Sequence, residues 1–430
     1  MERFNIKINR RSFLKGAAAL AAVPLWYAEE TFALPQAEAP KSANDKPGIA
    51  LIGCGGQGRG DCNVASHFGN VVAVCDVNEN HLNQAAEQFK AQHKFKDFRK
   101  LLECKDVDIV INGTPDHWHT MVNIAASNAG KDIYSEKPLT LTIAEGQKLV
   151  EVIKKNKTIL QVGSQQRSEQ NFRFACELVR NGHIGKLKHM LVGLPTGPRE
   201  GPFATEPVPD FLDWDFYQGQ TGPRDYVSNR ANYHFRWWYD YSGGQLTDWG
   251  AHHNDIAQWG NGTELTGPIE FDGRALGEPM IEGGYTAAAE YHIDSKYANG
   301  VTMTTTNRAP CGIRFEGTDG WVYVERGSTK YSHPELEEVR FDDSKNIRLY
   351  RSNHHMGNFI ECVRSRKEPI CTAEIGHRSI SVAHLNVISV RLGRKIKWDP
   401  VAETIVGDKE ALAMLSRPMR KPYNYAFIGL

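Results

Sequence analysis

Aspartate and histidine side chains, which can act as acids and bases, lie about one helical turn apart in the segment GGQLTDWGAHHNDIAQWG, residues 243–260. If a helix starts near Gln245, then Asp248, His252 and Asp255 lie at positions i, i+4 and i+7 and share one face. A carboxylate one turn from a histidine can orient the imidazole and raise its basicity. Such a histidine can take a proton from an alcohol as hydride leaves the carbon.

The alternative for a histidine on an apolar helix is a purely structural role in the core. His252 and His253 point about 100° apart on a helix, so we expect at least one of them to be structural. The pairing with Asp248 favours His252 as the functional one.

A lysine in the stretch Glu136-Lys137-Pro138 is a second candidate for chemistry. The stretch follows a predicted strand that ends at Ser135, and loops at the carboxyl edge of a parallel sheet face the ligand crevice. Pro138 fixes the turn. We therefore predict that Lys137 lies in the crevice, although a lysine is more commonly a solvated surface charge.

A glycine pattern, GxGxxG, begins at Gly53, directly after a predicted strand and before a predicted helix. In this context the glycines allow a tight turn, close approach of a pyrophosphate to the backbone, and close packing of helix on strand. The free N–H groups of the helix N-terminus suit phosphate oxygens. The alternative is a glycine-rich turn in an α/β domain without a ligand. The predicted cofactor-binding residues of this turn are Gly53, Gly55, Gly56, Gln57 and Gly58.

The next predicted strand, over 70–75, ends at Asp76, where the glycine pattern requires an acidic residue. Its carboxylate can accept hydrogen bonds from the adenosine ribose hydroxyls. Its negative charge repels a 2′-phosphate, so the sequence favours NAD over NADP as cofactor.

Strands alternate with helices of about ten to fifteen residues as far as residue 163, which predicts βαβ units and a parallel sheet. Beyond this residue the regular alternation ends. A long loop over 195–226 is rich in Pro, Gly and aromatics, and segments such as Tyr285–Ile293 and Val301–Thr306 are predicted strands. The fold class predicted is an α/β N-terminal Rossmann domain plus an α+β C-terminal domain with a large, mostly antiparallel sheet.

The chain has 430 residues, and its 51 basic and 51 acidic side chains give a formal net charge of zero. No broad basic field is available to attract nucleic acid, so we expect no such partner. At the N-terminus, Arg10-Arg11 precede Ser12-Phe13-Leu14-Lys15 and a short apolar run. The run is shorter than the ~20 residues that span a bilayer, and the segment resembles a twin-arginine signal. The alternative is a chance basic pair before a core helix.

These features predict export to the periplasm without a stable membrane anchor. The predicted divisions are a signal peptide (1–33), a linker (34–46), an NAD-binding Rossmann domain (47–165) and a C-terminal domain for substrate binding and oligomerisation (166–430).

The chain resembles the Gfo/Idh/MocA oxidoreductases over roughly 48–420. The resemblance rests on the glycine pattern, on TPDHWH at 114–119, on EKPLTLT at 136–142 and on the pair Asp248 and His252. Members of this family oxidise sugars and polyols by hydride transfer to nicotinamide. The resemblance implies that Lys137 contacts the nicotinamide ribose and the substrate hydroxyl, that His252 is the acid–base group, and that Asp248 is its partner.

The resemblance also implies further contacts, which extend the predicted site. Cofactor contacts are expected from Thr114, Pro115, His119, Glu136 and Lys137, with His119 equally able to cap or pack its helix. Substrate contacts are expected near the mouth of the site from Gln165 and Arg167.

The segment YHFRWWYDYSGG, residues 233–244, is longer and more aromatic than the simple dehydrogenases of this family have there. Flat aromatic rings suit sugar faces. We therefore predict substrate contacts from Arg236, Trp237 and Asp240 of this segment. His253 is a further predicted substrate contact outside it. The alternative is a packed aromatic hinge under the loop.

An exported protein finds no free nicotinamide pool outside the cytoplasm. We therefore hypothesise that it is exported folded, with a tightly held NAD(H) that is re-oxidised in place. The principal function predicted is a sugar or polyol oxidoreductase. The alternatives are a redox-assisted glycosidase or lyase that acts through a 3-keto sugar, and a non-catalytic binding protein. We predict no metal site and a homodimer or homotetramer.

Overall fold

Six parallel strands form the sheet of the N-terminal half. The computed structural model describes residues 46–430, so the predicted signal peptide and residues 34–45 of the predicted linker lie outside the described residues. Strand order is β3-β2-β1-β4-β5-β6, and every neighbouring pair is parallel. The strands are β1 (Gly48–Ile52), β2 (Asn70–Cys75), β3 (His93–Phe95), β4 (Ile109–Asn112), β5 (Asp132–Ser135) and β6 (Leu160–Val162).

Helices alternate with these strands and cover the sheet, so that β1 is buried along its whole length. The strand order reverses between β1 and β4, and a crevice opens there beyond the carboxyl ends of the strands. The predicted Rossmann architecture is confirmed. The helices are α1 (Gly56–Ala65), α2 (Glu79–Phe89), α3 (Phe98–Leu102), α4 (Asp116–Asn128) and α5 (Ile143–Asn156).

The second half of the chain contains a nine-stranded sheet of order β13-β12-β11-β7-β10-β9-β8-β14-β15. It is mostly antiparallel, as predicted, and β7 with β10 is its parallel pair. Burial alternates along β9, so one face of the sheet meets the core and the other is exposed. The strands are β7 (Leu187–Gly193), β8 (Glu270–Ala275), β9 (Tyr291–Lys296), β10 (Thr302–Thr306), β11 (Gly312–Gly317), β12 (Trp321–Glu325), β13 (Ser328–Tyr331), β14 (Lys395–Asp399) and β15 (Thr404–Ile405).

Helices pack on the buried face of this sheet. Ile256 of one helix and Leu385 of another share a hydrophobic core with residues of the strands, Phe271, Ile293 and Phe315. Burial of these apolar side chains fixes the helices, and with them the polar residues at their ends. The helices of this half are α6 (Gln170–Arg180), α7 (Trp214–Gln218), α8 (Asp248–Asn261), α9 (His355–Ser365), α10 (Ala373–Leu392) and α11 (Lys409–Ala413).

Two predicted elements differ from those observed. The helix expected from Gln245 starts at Asp248, because residues 244–246 form a 3₁₀ turn and Gly244 adopts a left-handed φ of +67°. The strand expected from Tyr285 starts at Tyr291, because the N–H of Tyr285 donates to Glu200 of the long loop instead.

The last part of the chain returns to the N-terminal sheet. Met356 and Phe359 of α9 join the core that contains Ile109 of β4. Tyr423 of the tail joins the core on the other side of that sheet, with Trp118 of α4. The two halves therefore share hydrophobic cores, and the division at residue 165 stays a prediction.

Candidate active site

A cleft of about 980 Å³ runs along the carboxyl ends of the central parallel strands. The glycine turn and Asp76 line one part of the cleft, and Lys137 lines another part. Asp248 and His252 of α8 face Lys137 from the other half of the chain, and the turn between β12 and β13 adds Arg326. Both halves of the chain thus build one site.

The glycine turn has the backbone geometry of a phosphate cradle. Gly53 has φ +88°, and a Cβ there would lie 2.4 Å from the backbone nitrogen of Thr114. A Cβ on Gly58 would lie 2.1 Å from the carbonyl oxygen of Gly53, so helix and strand are in close contact. A Cβ on Gly55 would meet nothing within 4 Å, and no side chain caps α1. The first N–H groups of α1 are therefore open to an anion from the cleft.

Asp76 directly follows β2, and 11% of its side chain is exposed. Its Oδ2 accepts from the backbone N–H of Cys54 and its Oδ1 from that of Asn78, both at 2.7 Å. Burial raises the pKa of this carboxyl, and the backbone donors and His81 oppose the rise. Each carboxylate oxygen keeps a second lone pair, so Asp76 can accept hydroxyl donors from the cleft.

Lys137 and Arg236 hold Asp248 between them. The Nζ of Lys137 donates to Oδ1 of Asp248, and Nη1 of Arg236 donates to Oδ2 at 2.9 Å. The exposed fraction of the side chain is 17% for Lys137, 21% for Arg236 and 10% for Asp248. Burial alone would raise the pKa of Asp248, but the two cations outweigh it and hold the pKa well below its usual range. Asp248 is therefore a carboxylate that fixes the Lys137 ammonium beside the cleft.

His252 lines the cleft as predicted, but its environment differs from the predicted one. Both oxygens of Asp248 are engaged by cations, and Nε2 of His252 instead lies 3.4 Å from Nη2 of Arg326. Burial, then Arg326 and Lys137, hold the pKa of His252 well below its usual range. The expectation that Asp248 raises the basicity of this imidazole is therefore wrong. A guanidinium has only donors, so Nε2 is the acceptor.

The TPDHWH turn and the Lys137 turn are tied together by His119. The two ring nitrogens of His119 lie 2.7 Å from the carbonyl oxygens of Thr114 and Pro138. Thr114, Pro115 and His119 all line the cleft. The structure thus gives His119 a bridging position that sets the spacing of the two turns.

Glu136 also lines the cleft, and Gln165 lies behind it. Nε2 of Gln165 donates to Oε1 of Glu136 at 3.0 Å and to the hydroxyl of Tyr134 at 3.2 Å. Gln165 is buried and does not line the cleft. Its predicted substrate contact is therefore replaced by a contact that orients Glu136.

Arg167 lies in the protein interior and not at the mouth of the site. Its Nε and Nη2 donate to the two oxygens of Asp255 at 2.6 and 2.9 Å, and Nη1 donates to Glu264 at 2.9 Å. Asp255 also accepts from Ser379 at 2.6 Å. The predicted substrate contact of Arg167 is corrected to a buried ion pair, because its own side chain lies in the core beside Asp255.

Three further predicted substrate residues do not line the cleft. The Nδ1 of His253 lies 2.9 Å from the carbonyl oxygen of Gly193, inside the core. Trp237 is buried in an aromatic cluster, and Asp240 pairs with Arg224 at 2.9 Å. The aromatic segment is thus largely the packed hinge of the alternative interpretation, and Arg236 is the predicted residue in it that reaches the site.

Sequence reasoning missed four charged residues of the cleft, Arg59, Lys96, Asp116 and Arg326. Asp116 is buried at the start of α4, and its Oδ2 accepts from Ser242 at 2.5 Å. Burial, and next the charge of Asp248, raise the pKa of Asp116 to about 7. Asp116 lies within TPDHWH and could have been found there. Arg326 comes from a β-turn without any motif, and only the fold brings it to His252.

Two family models together match most of the chain. The NAD-binding Rossmann fold of the Gfo/Idh/MocA oxidoreductases matches residues 48–164, and the C-terminal alpha/beta domain matches residues 198–425. These matches confirm the predicted resemblance and NAD as the cofactor of the N-terminal half. A twin-arginine translocation signal matches residues 7–25. No helix within residues 46–430 has the length and apolar character of a membrane span.

Curated and solved relatives agree with these matches. Scyllo-inositol 2-dehydrogenase (NAD(+)) of Bacillus subtilis is 27% identical over 340 residues, which cover 76% of this chain and 89% of the relative. An alpha-N-acetylgalactosaminidase of Shewanella oneidensis is 27% identical over 205 residues, 42% of this chain and 45% of the relative. The WlbA dehydrogenase of Bordetella pertussis, solved with NADH and UDP-GlcNAcA, has a TM-score of 0.62 at 18% identity, covering 82% and 99% of the two chains. The last likeness concerns the fold alone.

Proposed function

Because the chain belongs to the Gfo/Idh/MocA oxidoreductase family, we propose that it transfers hydride between a hydroxyl-bearing carbon of a sugar or polyol and a tightly bound NAD. The observation that carries this proposal is the contact of Lys137 with Asp248 across the cleft that the glycine turn also lines. It joins a cofactor-binding half to a second half with acid–base groups.

The cofactor fits the residues present. The open space at Gly55 and the uncapped N-terminus of α1 suit a pyrophosphate. Asp76 suits an adenosine ribose with free hydroxyls and disfavours a 2′-phosphate, which supports NAD over NADP. When bound, the nicotinamide supplies the acceptor or donor of hydride.

Lys137, Asp248 and His252 have distinct proposed roles in the reaction. As the substrate carbon loses hydride, the oxygen must lose a proton, and Nε2 of neutral His252 accepts it in place of the long contact to Arg326. The Lys137 ammonium lies beside this position and stabilises the negative charge that develops on the oxygen. Asp248 keeps the ammonium in place, and Arg236 keeps Asp248 in place.

Export sets a condition on the cofactor. The twin-arginine signal supports export of an already folded protein, and we place the mature protein in the periplasm with its NAD(H) bound. The cofactor must then be re-oxidised on the protein, by a second substrate or by reduction of the same sugar after another step.

Replacement of Lys137 tests the proposal. The mature protein is purified with its nicotinamide, and NADH absorbance is followed across a panel of sugars and polyols. We expect Lys137→Ala to lower turnover at least about 100-fold, as loss of a positioned charge or proton-transfer group does. Lys148→Ala on the exposed side of α5 is the control. Equal turnover by both variants, or no response to any sugar or polyol, would contradict the proposal.

A second candidate function follows from the relative in Shewanella oneidensis. In a redox-assisted glycosidase or lyase, oxidation at one carbon acidifies the neighbouring proton, the leaving group departs, and the ketone is reduced again. The net reaction then consumes no NAD. Release of the aglycone from aryl glycosides without accumulation of NADH would favour this function over net oxidation.

The proposed assembly is a homodimer or a homotetramer. The exposed face of the nine-stranded sheet, with Asp294 and Lys296 on β9, is the surface that a second copy would cover. Light scattering on the eluting protein measures the mass directly, and a monomer at micromolar concentration contradicts the assignment.

A further inference from the structure

One segment of the second half of the chain crosses back over the cofactor cleft. We call this segment, residues 209–219, the strap; it contains α7. Leu212, Phe216 and Tyr217 of the strap line the cleft together with Asp76. The hydroxyl of Tyr217 is buried and has no hydrogen-bond partner, so a ligand in the cleft can satisfy it. The adenosine half of a dinucleotide belongs at this end, because Asp76 marks the ribose position.

Backbone hydrogen bonds join the strap to the residues directly after Asp76. The N–H of Glu79 donates to the carbonyl of Phe211 at 2.8 Å, and the N–H of Asp213 donates to the carbonyl of Val77 at 3.1 Å. Between them, Leu212 and Asn78 form an antiparallel bridge. The strap is therefore fixed over the carboxyl end of β2.

The other end of the strap is held on α4. The Nε1 of Trp118 donates to the carbonyl of Tyr217 at 3.0 Å, and Nε2 of His117 lies 2.7 Å from the same oxygen. Gly219 has φ +53° and lies against the indole, where a Cβ would be 2.3 Å from a ring carbon of Trp118. This close fit requires a glycine.

The C-terminal tail fastens the strap from outside. Nη1 of Arg420 donates to Oδ1 of Asp215 at 2.6 Å, Nη2 donates to the carbonyl of Asp215 at 2.9 Å, and Nε donates to the carbonyl of Gly219 at 3.0 Å. The hydroxyl of Tyr423 donates to Oδ2 of Asp215 at 2.8 Å. Arg420 itself does not line the cleft.

We propose that the strap is a cofactor-retaining wall: Leu212, Phe216 and Tyr217 cover the adenosine half of bound NAD(H), and the cofactor leaves only when the strap lifts. This inference rests on the proposed function, because it requires a dinucleotide in the cleft. Lifting the strap breaks the bridge to Asn78 and the contacts of Arg420 together. The strap thus gives a physical basis for keeping a cofactor that cannot be replaced after export.

The test is the rate at which NADH leaves the full-length mature protein. Bound NADH is followed by its fluorescence after addition of excess NAD⁺, and residual nicotinamide is measured by mass spectrometry after gel filtration. Arg420→Ala removes contacts that hold the strap from outside, and Leu212→Ala removes apolar surface from the cluster against which Val77 packs. We expect each variant to release NADH about tenfold faster, since affinity changes within one site fall mainly on dissociation.

Arg394→Ala is the matched control, because the Arg394 side chain also binds several acceptors, but these belong to Asp408 and Glu410 and not to the strap. It should release NADH at the parental rate. Parental rates in both strap variants, or equal acceleration by Arg394→Ala, would overturn the retaining role. If those results come with normal Lys137-dependent turnover, the proposed function survives; a protein that binds no NADH would overturn both. The strap variants alter different contacts, so one remains informative if the other fails to fold.

Discussion

The surroundings of two carboxyl groups in the cleft shift their pKa values in opposite directions. Asp248 lies between two cations, which hold its pKa well below the usual range despite burial. Asp116 is buried with one hydroxyl donor, Ser242, and burial and Asp248 raise its pKa to about 7. One of the two is therefore a permanent anion, while the other exchanges a proton near neutral pH.

The titration of Asp116 predicts a pH-dependent stability. Its pKa rises from 3.8 to about 7 on folding, so the folded protein holds a proton that the unfolded chain has lost, and Asp116 costs stability as the pH rises through this window. Asp116→Asn keeps an acceptor for Ser242 and removes the titration. We expect the variant to gain roughly 3 kcal/mol relative to the parent between about pH 5 and about pH 7.

Unfolding in urea at several pH values measures this gain. Asp106→Asn is the control, because Asp106 is exposed. A difference between parent and Asp116→Asn that stays constant with pH would show that Asp116 is ionised in the folded protein.

Helix α8 presents its first turns to the cleft and its later turns to the core. Its first turn delivers Asp248 and, one turn on, His252 to the cleft. His253 and Asp255 point into the core, where Asp255 receives Arg167. The buried ion pair therefore fixes the helix about one turn beyond His252, on the side that carries Asp248 and His252.

This arrangement predicts that Arg167 contributes to the stability of the folded protein and does not contact the substrate. Arg167→Met leaves the buried Asp255 without its cation, and we expect a loss of about 3–5 kcal/mol in the free energy of unfolding. Lys148→Met breaks the exposed pair with Glu151 and should cost about 0–1 kcal/mol. Denaturant unfolding measures both. Normal stability of Arg167→Met together with a raised KM for substrate would instead support the substrate contact predicted from sequence.

Residues from both halves of the chain line the cleft, and the two halves share hydrophobic cores. A ligand that fills the cleft therefore stabilises the entire fold. This coupling applies to the strap and the tail as well, since Tyr423 both packs in the N-terminal core and binds the strap.

Cofactor binding should accordingly raise the stability of the stripped protein. NAD at about 100 times its Kd should add roughly 2.7 kcal/mol, seen as a higher Tm, because it binds the folded state alone. NADP at the same concentration should add less, because Asp76 repels its 2′-phosphate. Thermal unfolding monitored with each nucleotide checks the order, and equal shifts would contradict the assigned role of Asp76.

Sequence alone determined the features that are contiguous along the chain. The alternation of strands and helices, the glycine turn, the position of Asp76 and that of Lys137 after β5 all follow from short-range periodicity and turn chemistry. These patterns were enough to predict both sheets, the NAD-binding half and one side of the cleft.

Only the tertiary structure decided which groups meet. Asp248 was expected to serve its helical neighbour His252, but it binds Lys137, 111 positions away in the chain, and Arg236. Arg326 and the strap reach the cleft through packing of distant segments and have no motif. The physical reason is that a charge pairs with the nearest opposite charge in space, and that distance is set by how apolar faces pack.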